Sequence, residues 1–182
     1  MGGVGLKGLV ERLETLAPDD LAPASVLELL SGWEVPESSL RPFVNFREDK
    51  YARNLVHRSA LFDVIVLCWK PGQATPIHDH SGQCGWVRVL RGKMRERLFA
   101  LGDSRLDCTS TGVVTAGPTV VGVDRERAIH ALDNPLDEGA HEDAVTLHLY
   151  SRPHDTCNRY DPQTGARERV QLQFDTQPDL LR

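Results

Sequence analysis

The chain has 182 residues, with 21 Lys and Arg against 26 Asp and Glu and a net charge of −5: the size of one domain, with no basic cluster for a nucleic acid. Hydrophobic residues make up 40% and charged residues 26%, enough apolar material for a core and too much for intrinsic disorder. No apolar run approaches the roughly 18 residues of a membrane span, and Lys7, Glu11 and Arg12 interrupt the apolar start as they would not in a secretory signal.

Leu6, Leu9, Val10, Leu13 and Leu16 recur at three- and four-residue steps, which predicts an amphipathic helix ended by Pro18, Asp19 and Asp20. Ala24–Trp33 predicts a second short helix closed by Gly32, and Glu37–Phe46 a third helical piece interrupted near Pro42. From Tyr51 the period becomes two. Strands are expected at Tyr51–His57, Leu61–Trp69, Gly85–Leu90, Lys93–Phe99, Val113–Thr115, Thr119–Val123, Ala128–Leu132, Ala144–Tyr150 and Glu168–Phe174. Arg91–Gly92, between two alternating runs, carries the signal of a two-residue hairpin. The expected architecture is one domain over residues 1–182: a helical lead-in over 1–50, then an all-β closed antiparallel barrel or jelly roll over 51–182.

Cys68, Cys84, Cys108 and Cys157 are far apart and form no CxxC pair, which predicts reduced thiols in a cytoplasmic protein and no zinc cluster. Cys68 reads as a packed thiol and Cys108 as an exposed one. Trp33, Trp69 and Trp86 read as core. Of seven histidines, His57, His141 and His154 sit among polar residues and read as solvated surface. His78 and His80 differ: two apart in an extended TPIHDHSG, they point to one face, and a barrel can bring His130 opposite them to cap one ion with three neutral nitrogens.

Gly72, six residues before His78, together with His80, Gly92 and the later His130…Asn134, resembles the two motifs of the cupin superfamily, G(x)5HxH and H(x)3N. That pattern usually adds a Glu ligand four or five residues after the second histidine; here Gly85 fills the slot and no acid follows His80 before Glu96. Three neutral imidazoles would leave a divalent ion its full charge and open positions for an anionic ligand and dioxygen.

YARNLV at Tyr51–Val56, VLCW at Val66–Trp69, IHDH at Ile77–His80 and LHLYSRPHDTC at Leu147–Cys157 resemble the thiol dioxygenases, most of all the cysteine dioxygenase family, over roughly Phe43–Gly165. The resemblance implies Fe(2+) held by His78, His80 and His130, and O2 and the thiol of L-cysteine converted to the sulfinate. It implies that Arg53, with Tyr51 and Tyr150 assisting, binds the substrate carboxylate, for which a guanidinium is the bidentate partner. Without that string an isolated Arg on a strand reads as a surface ion pair. Thr146, His148 and Tyr150 alternate on one strand and resemble the Ser-His-Tyr line of the family; alternation alone would equally fit buried groups satisfying one another in the core. Cys157 resembles a family cysteine near the pocket, and a packed thiol reads as well.

Two departures stand out. The position whose Cys forms a thioether to the active-site Tyr in mammalian members is Gly85, and Cys84 next to it would face the other way, so no crosslink to Tyr150 is expected. Arg152 stands where the family commonly has Pro, which casts doubt on an unusual backbone there and adds a cation near the site. A Gln where Arg53 stands would mark the branch that acts on 3-mercaptopropionate, the variant reading. A non-catalytic cupin binding a metal and a small acid is the alternative from another class, and a zinc hydrolase ranks last. A monomer without nucleic-acid or membrane partners is expected.

Overall fold

The leucine spacing of the first segment becomes helix α1, Gly5–Glu14, which turns Leu6, Leu9, Val10 and Leu13 inward. The computed structural model describes residues 4–17, 23–80, 82–102, 105–123, 129–136 and 141–177; the expected helix stop at Pro18–Asp20 and the start of the expected strand at Ala128 lie outside these residues. Helices α2 (Pro23–Gly32) and α3 (Glu37–Leu40) follow, and a 3-10 turn over Arg41–Phe43 replaces the rest of the third helical piece, where Pro42 lacks the N–H a longer helix needs.

The strands are β1 Ala52–Arg58, β2 Phe62–Trp69, β3 Ile77–His78, β4 Cys84–Arg91, β5 Lys93–Leu101, β6 Leu106–Thr115, β7 Val120–Val123, β8 Ile129–Asp133, β9 Ala144–Ser151, β10 Thr156–Tyr160 and β11 Arg167–Gln171. They form two sheets, ordered β1-β2-β9-β4-β7 and β11-β10-β3-β8-β5-β6, with antiparallel ladders throughout. This is the strand-dominated jelly roll with helices in front that the sequence predicts. The two sheets face each other without a ladder joining them among the described residues, so the expected closed barrel is a sandwich.

Arg91–Gly92 is not a hairpin. β4 lies in the first sheet and β5 in the second, so the chain changes sheets there. Gly92 takes φ +73°, and a Cβ on it would lie 2.9 Å from the Asp143 carbonyl oxygen, so only glycine fits this corner. β6 is ten residues long where Val113–Thr115 was expected. Its polar stretch is an exposed edge and lacks the alternation that reveals a half-buried strand. β10, paired on both sides by β11 and β3, also went unpredicted.

Two cores result. Between the sheets lie Ile65, Leu67, Trp69, Val87, Val89, Met94, Leu132, Ala144 and Tyr150. On the outer face of the first sheet, Leu6, Leu9, Leu13, Leu30, Trp33 and Phe43 of the helical segment cover Val64, Val66, Trp86, Val145, Leu147 and Leu149. β2 and β9 are therefore buried along their whole length on both faces. Arg88 fastens the helices: its guanidinium donates to the carbonyls of Leu30 (2.7 Å) and Trp33 near the end of α2 and to Gly117 (2.8 Å). Arg88→Met should strand these acceptors and lower unfolding stability by about 2–4 kcal/mol in urea titration, while a purely packing role predicts less than about 1 kcal/mol.

Candidate metal centre

His78 and His130 are direct cross-strand partners between β3 and β8, and His80 follows His78 by two residues, so three imidazoles meet between the sheets. Ring centroids lie 5.1 Å (His78–His80), 4.7 Å (His78–His130) and 4.8 Å (His80–His130) apart. One ligand nitrogen from each falls within 4.8 Å of the others. The motif glycine and asparagine set this up. Gly72, at φ +84°, donates its N–H to the Asn134 carbonyl (2.8 Å), and the Asn134 amide donates to the carbonyls of Trp69 (3.2 Å) and Glu142 (2.9 Å), tying the turn before His78 to the end of β8.

Hydrogen bonds fix which nitrogen faces inward. His78 Nδ1 donates to the Pro76 carbonyl (3.0 Å), and His130 Nδ1 to the Glu96 carboxylate (2.8 Å), leaving each Nε2 with its lone pair. His130 Nε2 and both nitrogens of His80 are buried with no partner in the protein. Buried polar atoms are nearly always paired, so these orphans mark a place for a ligand, and three neutral nitrogen donors fit a divalent metal. Burial, reinforced by His130, pushes the His78 imidazole down to about 3. Burial and the other two imidazoles push His80 well below its ordinary value. Both stay unprotonated at neutral pH, as a metal ligand must. Glu96 is the first carboxylate after the histidines; it holds His130 from behind instead of joining the ligand nitrogens. Nothing in its local sequence singled it out.

A cavity of about 470 Å³ opens beside the imidazoles, bordered by Tyr51, Arg53, His78, His80, Tyr150 and His154 among others, and no carboxylate side chain lines it among the described residues. Arg53 extends from the inner face of β1. Its Nε is buried and unpartnered, and its side chain forms no ion pair among the described residues, contrary to the surface pairing an isolated Arg suggests. The segment after β11 holds it: the Arg53 N–H donates to the Asp175 carboxylate (2.9 Å), the Asp175 N–H donates to the Arg53 carbonyl (2.8 Å), and the guanidinium carbon lies 5.6 Å from the Phe174 ring centre. Tyr51 stacks on Trp69 at 4.6 Å. Asp175 and Phe174 are about 120 residues from Arg53, and only the tertiary fold reveals their part.

On β9, Thr146, His148 and Tyr150 share the inner face, as their alternation implies. Thr146 Oγ1 and His148 Nε2 lie 2.8 Å apart, His148 Nδ1 and the Tyr150 oxygen 3.0 Å. Trp69 adds a member not foreseen: its indole N–H donates to Thr146 Oγ1 (2.9 Å). An indole nitrogen can only donate. Thr146 then accepts from Trp69 and passes its own proton to His148 Nε2; His148, protonated on Nδ1, donates to the Tyr150 oxygen. The phenol proton is left free to point into the cavity. The opposite order would strand the Thr146 proton in a dry core. Burial, with the Arg53 charge next, holds His148 neutral. Burial raises Tyr150 to about 12, so the phenol keeps its proton.

Gly85 stands directly across from Tyr150, and Cys84 points into the outer core with Trp86. The backbone at Arg152 is unusual after all, at φ +64°, but its side chain is exposed and does not line the cavity, so the extra cation expected near the site is not there. Cys157 does line the cavity, and burial raises its thiol. Two of the surface histidines are misplaced by the sequence. His57 Nε2 meets Glu14 at 2.6 Å, linking β1 to α1, and His154 lines the cavity. His141, Cys68 and Cys108 lie as expected.

A strand-built sandwich with three histidines between its sheets defines a metal-binding cupin. Residues 6–163 match the family described as cysteine dioxygenase type I, and the chain belongs to that family. It is similar to human cysteine dioxygenase type 1, at 29% identity over 177 residues, covering 93% of this chain and 85% of the relative. It is likewise similar to the zebrafish (Danio rerio) protein of the same name, at 28% identity over 177 residues with the same coverage. Among solved structures, a Klebsiella pneumoniae protein with a double-stranded β-helix domain superposes with a TM-score of 0.50 at 15% identity, covering 74% of this chain and 96% of that one. The protein is a thiol dioxygenase with a metal cofactor, taking a small-molecule substrate and O2. No described helix is long and apolar enough to cross a membrane.

The depressed imidazoles carry a stability cost in acid. The unfolded chain protonates its histidines below about 6.5, whereas folded His154 resists to about 4 and His78 to about 3. The unfolded state therefore binds more protons in this window, and the metal-free protein should lose stability as pH falls from about 6.5 towards 4, by up to about 1.4 kcal/mol per pH unit for each such histidine. Thermal midpoints measured across that range check this, and a flat profile contradicts it. Glu96→Gln should weaken metal binding about 10- to 100-fold in a competition assay by loosening the His130 ring, and unchanged affinity would mean the carboxylate is incidental.

Proposed function

We propose that the enzyme oxidises L-cysteine to its sulfinate, RSH + O2 → RSO2H, with iron(II) held by His78, His80 and His130. The observation that carries this reading is the meeting, beside one cavity, of three imidazoles, two of them with orphaned buried nitrogens, with an Arg whose Nε has no partner. Iron bound there would bring sulfur and O2 together and supply the redox chemistry that adds both oxygen atoms to sulfur.

The protein's own side chains do the rest. Arg53 offers the carboxylate a planar, always-charged fork in a lining without carboxylates among the described residues, and its backbone bonds to Asp175 fix where that fork points. Tyr51, braced by Trp69, borders the same space. Tyr150 presents its hydroxyl proton to the cavity, oriented by His148 and, through Thr146, by Trp69. This proton stabilises negative charge that develops on the reacting sulfur or oxygen.

Protein loaded with iron(II) without air, then given O2, should consume it with L-cysteine and yield a product heavier by two oxygen atoms. Turnover about tenfold better with 3-mercaptopropionate than with L-cysteine would overturn the substrate assignment, and tight cysteine binding without O2 uptake would favour a binding cupin. Arg53→Ala should raise KM for L-cysteine about 10- to 100-fold with iron content unchanged; an unaltered KM would remove the clamp.

A further inference from the structure

Two of the three imidazoles have a hydrogen bond that sets the ring: His78 Nδ1 to the Pro76 carbonyl (3.0 Å) and His130 Nδ1 to the Glu96 carboxylate (2.8 Å). Neither nitrogen of His80 has a partner among the described residues. With one nitrogen turned to a metal, the other still lacks the acceptor that a ligating histidine nearly always has. Tyr150 and His154 border the His80 ring, at 5.3 Å and 6.2 Å between centroids, and pack against it without a hydrogen bond. β3 ends at His78, so its ladders with β8 and β10 stop before His80. The placement of His80 therefore depends on the residue that precedes it.

Asp79 lies between the two ligands and, in an extended segment, points to the opposite face. Four hydrogen bonds tie it to β10. The Asp79 N–H donates to the Asn158 carbonyl (3.1 Å). In return the Asn158 N–H donates to Asp79 Oδ1 (3.3 Å), and the Asn158 side-chain amide and the Tyr160 hydroxyl donate to Oδ2 (2.9 and 2.7 Å). An ionised carboxylate only accepts, so its two oxygens suit three donors arriving from one strand. Strand register brings them there. β10 meets β3 at Arg159–His78 and Tyr160–Ile77, so Asn158 comes level with Asp79 and Tyr160 stands beside it, while His78 and Arg159 face the cavity. Bonds on the outer face thus fix the backbone from which the next inward side chain, His80, departs.

We propose that Asp79 is a positioning residue, a carboxylate held by Asn158 and Tyr160 that fixes the backbone at His80 and so does for this ligand what Pro76 and Glu96 do for the other two. This rests on the three imidazoles being the metal ligands and is independent of which thiol is oxidised. Iron(II) affinity is measured without air by chelator competition, beside the unfolding midpoint of each metal-free protein. Asp79→Ala should weaken iron(II) binding about 10- to 100-fold, and Tyr160→Phe, which removes one bond at a half-buried position, about three- to tenfold. Asp79→Asn keeps an acceptor oxygen and should recover most of the loss. Arg88→Met, which loosens the other sheet, should lower the midpoint and leave iron(II) affinity within about twofold of wild type. Unchanged affinity in Asp79→Ala, or a loss as large in Arg88→Met, overturns the assignment, because affinity would then ignore the clamp or merely follow overall stability. Should Asp79→Ala fail to fold, Tyr160→Phe decides: weakened binding at an unchanged midpoint supports the clamp, and unchanged binding overturns it. His80→Ala tests the underlying reading. Undiminished iron(II) affinity there sinks the three-histidine site, whereas a loss there with Asp79→Ala unchanged sinks the clamp alone.

Discussion

Thr146, His148 and Tyr150 are removed from water on a strand that has no solvent-facing side. Each unpaired polar group in such a place costs about 1–3 kcal/mol, so the three must satisfy one another and find a fourth partner at the far end. That partner is the Trp69 indole on the neighbouring strand. The other face of β9 carries Val145 and Leu147 and Leu149, which the helical segment covers. The helices therefore make an inner polar row affordable, because the same strand is anchored by apolar burial behind it. A line of hydrogen bonds that begins at an obligate donor and ends at a phenol has a defined direction, and this directs the Tyr150 proton into the cavity.

The cavity's charge follows a related logic. A carboxylate among the ligand nitrogens would neutralise part of a bound dication and occupy a position. Here the carboxylate stands one bond further out: Glu96 accepts from His130 Nδ1, which orients the ring without placing an anion among the inward nitrogens. Arg53 adds a fixed positive charge whose Nε finds no partner in the protein. The site is short of negative charge and waits for a ligand that brings it. Asp175, which touches Arg53, is spent on the Arg53 backbone N–H and on Arg47, so it fixes the residue in place without pairing with the guanidinium.

What the sequence displayed was local. His78 and His80 are two apart and Thr146, His148 and Tyr150 alternate, so backbone geometry alone sets each group on one face. His130 needed the family pattern, because nothing within its own strand distinguishes a ligand from a core histidine. Gly92 shows how a correct local signal leads to a wrong tertiary conclusion: a tight positive-φ turn between alternating runs serves a hairpin and a sheet-changing corner equally, and the choice depends on Asp143 and Ala144 packing against it. His154 was misread because a polar neighbourhood in sequence says nothing about which way a turn folds. Phe174, Asp175 and Glu96 act across long stretches of chain, which no window of sequence contains. β6 escaped because an exposed edge has no buried face to impose alternation.

The one-residue offset between Cys84 and Gly85 shows how finely the strand register separates chemistry from packing. Gly85 faces Tyr150 across the ladder between β4 and β9, while Cys84, one step earlier, lies with Trp86 among the helices. A thiol at the opposite position would stand beside the phenol; a glycine leaves room there and no reactive partner. Tyr150 is thus held by a hydrogen bond from His148 and by its packing alone, and burial keeps its proton on the oxygen. In a strand pair buried on both faces, a shift of one residue exchanges a group in the reaction cavity for one in the hydrophobic core. Outside the cavity, Arg88 on β4 binds the end of α2, which packs against β4 and β7 on the back of the same sheet.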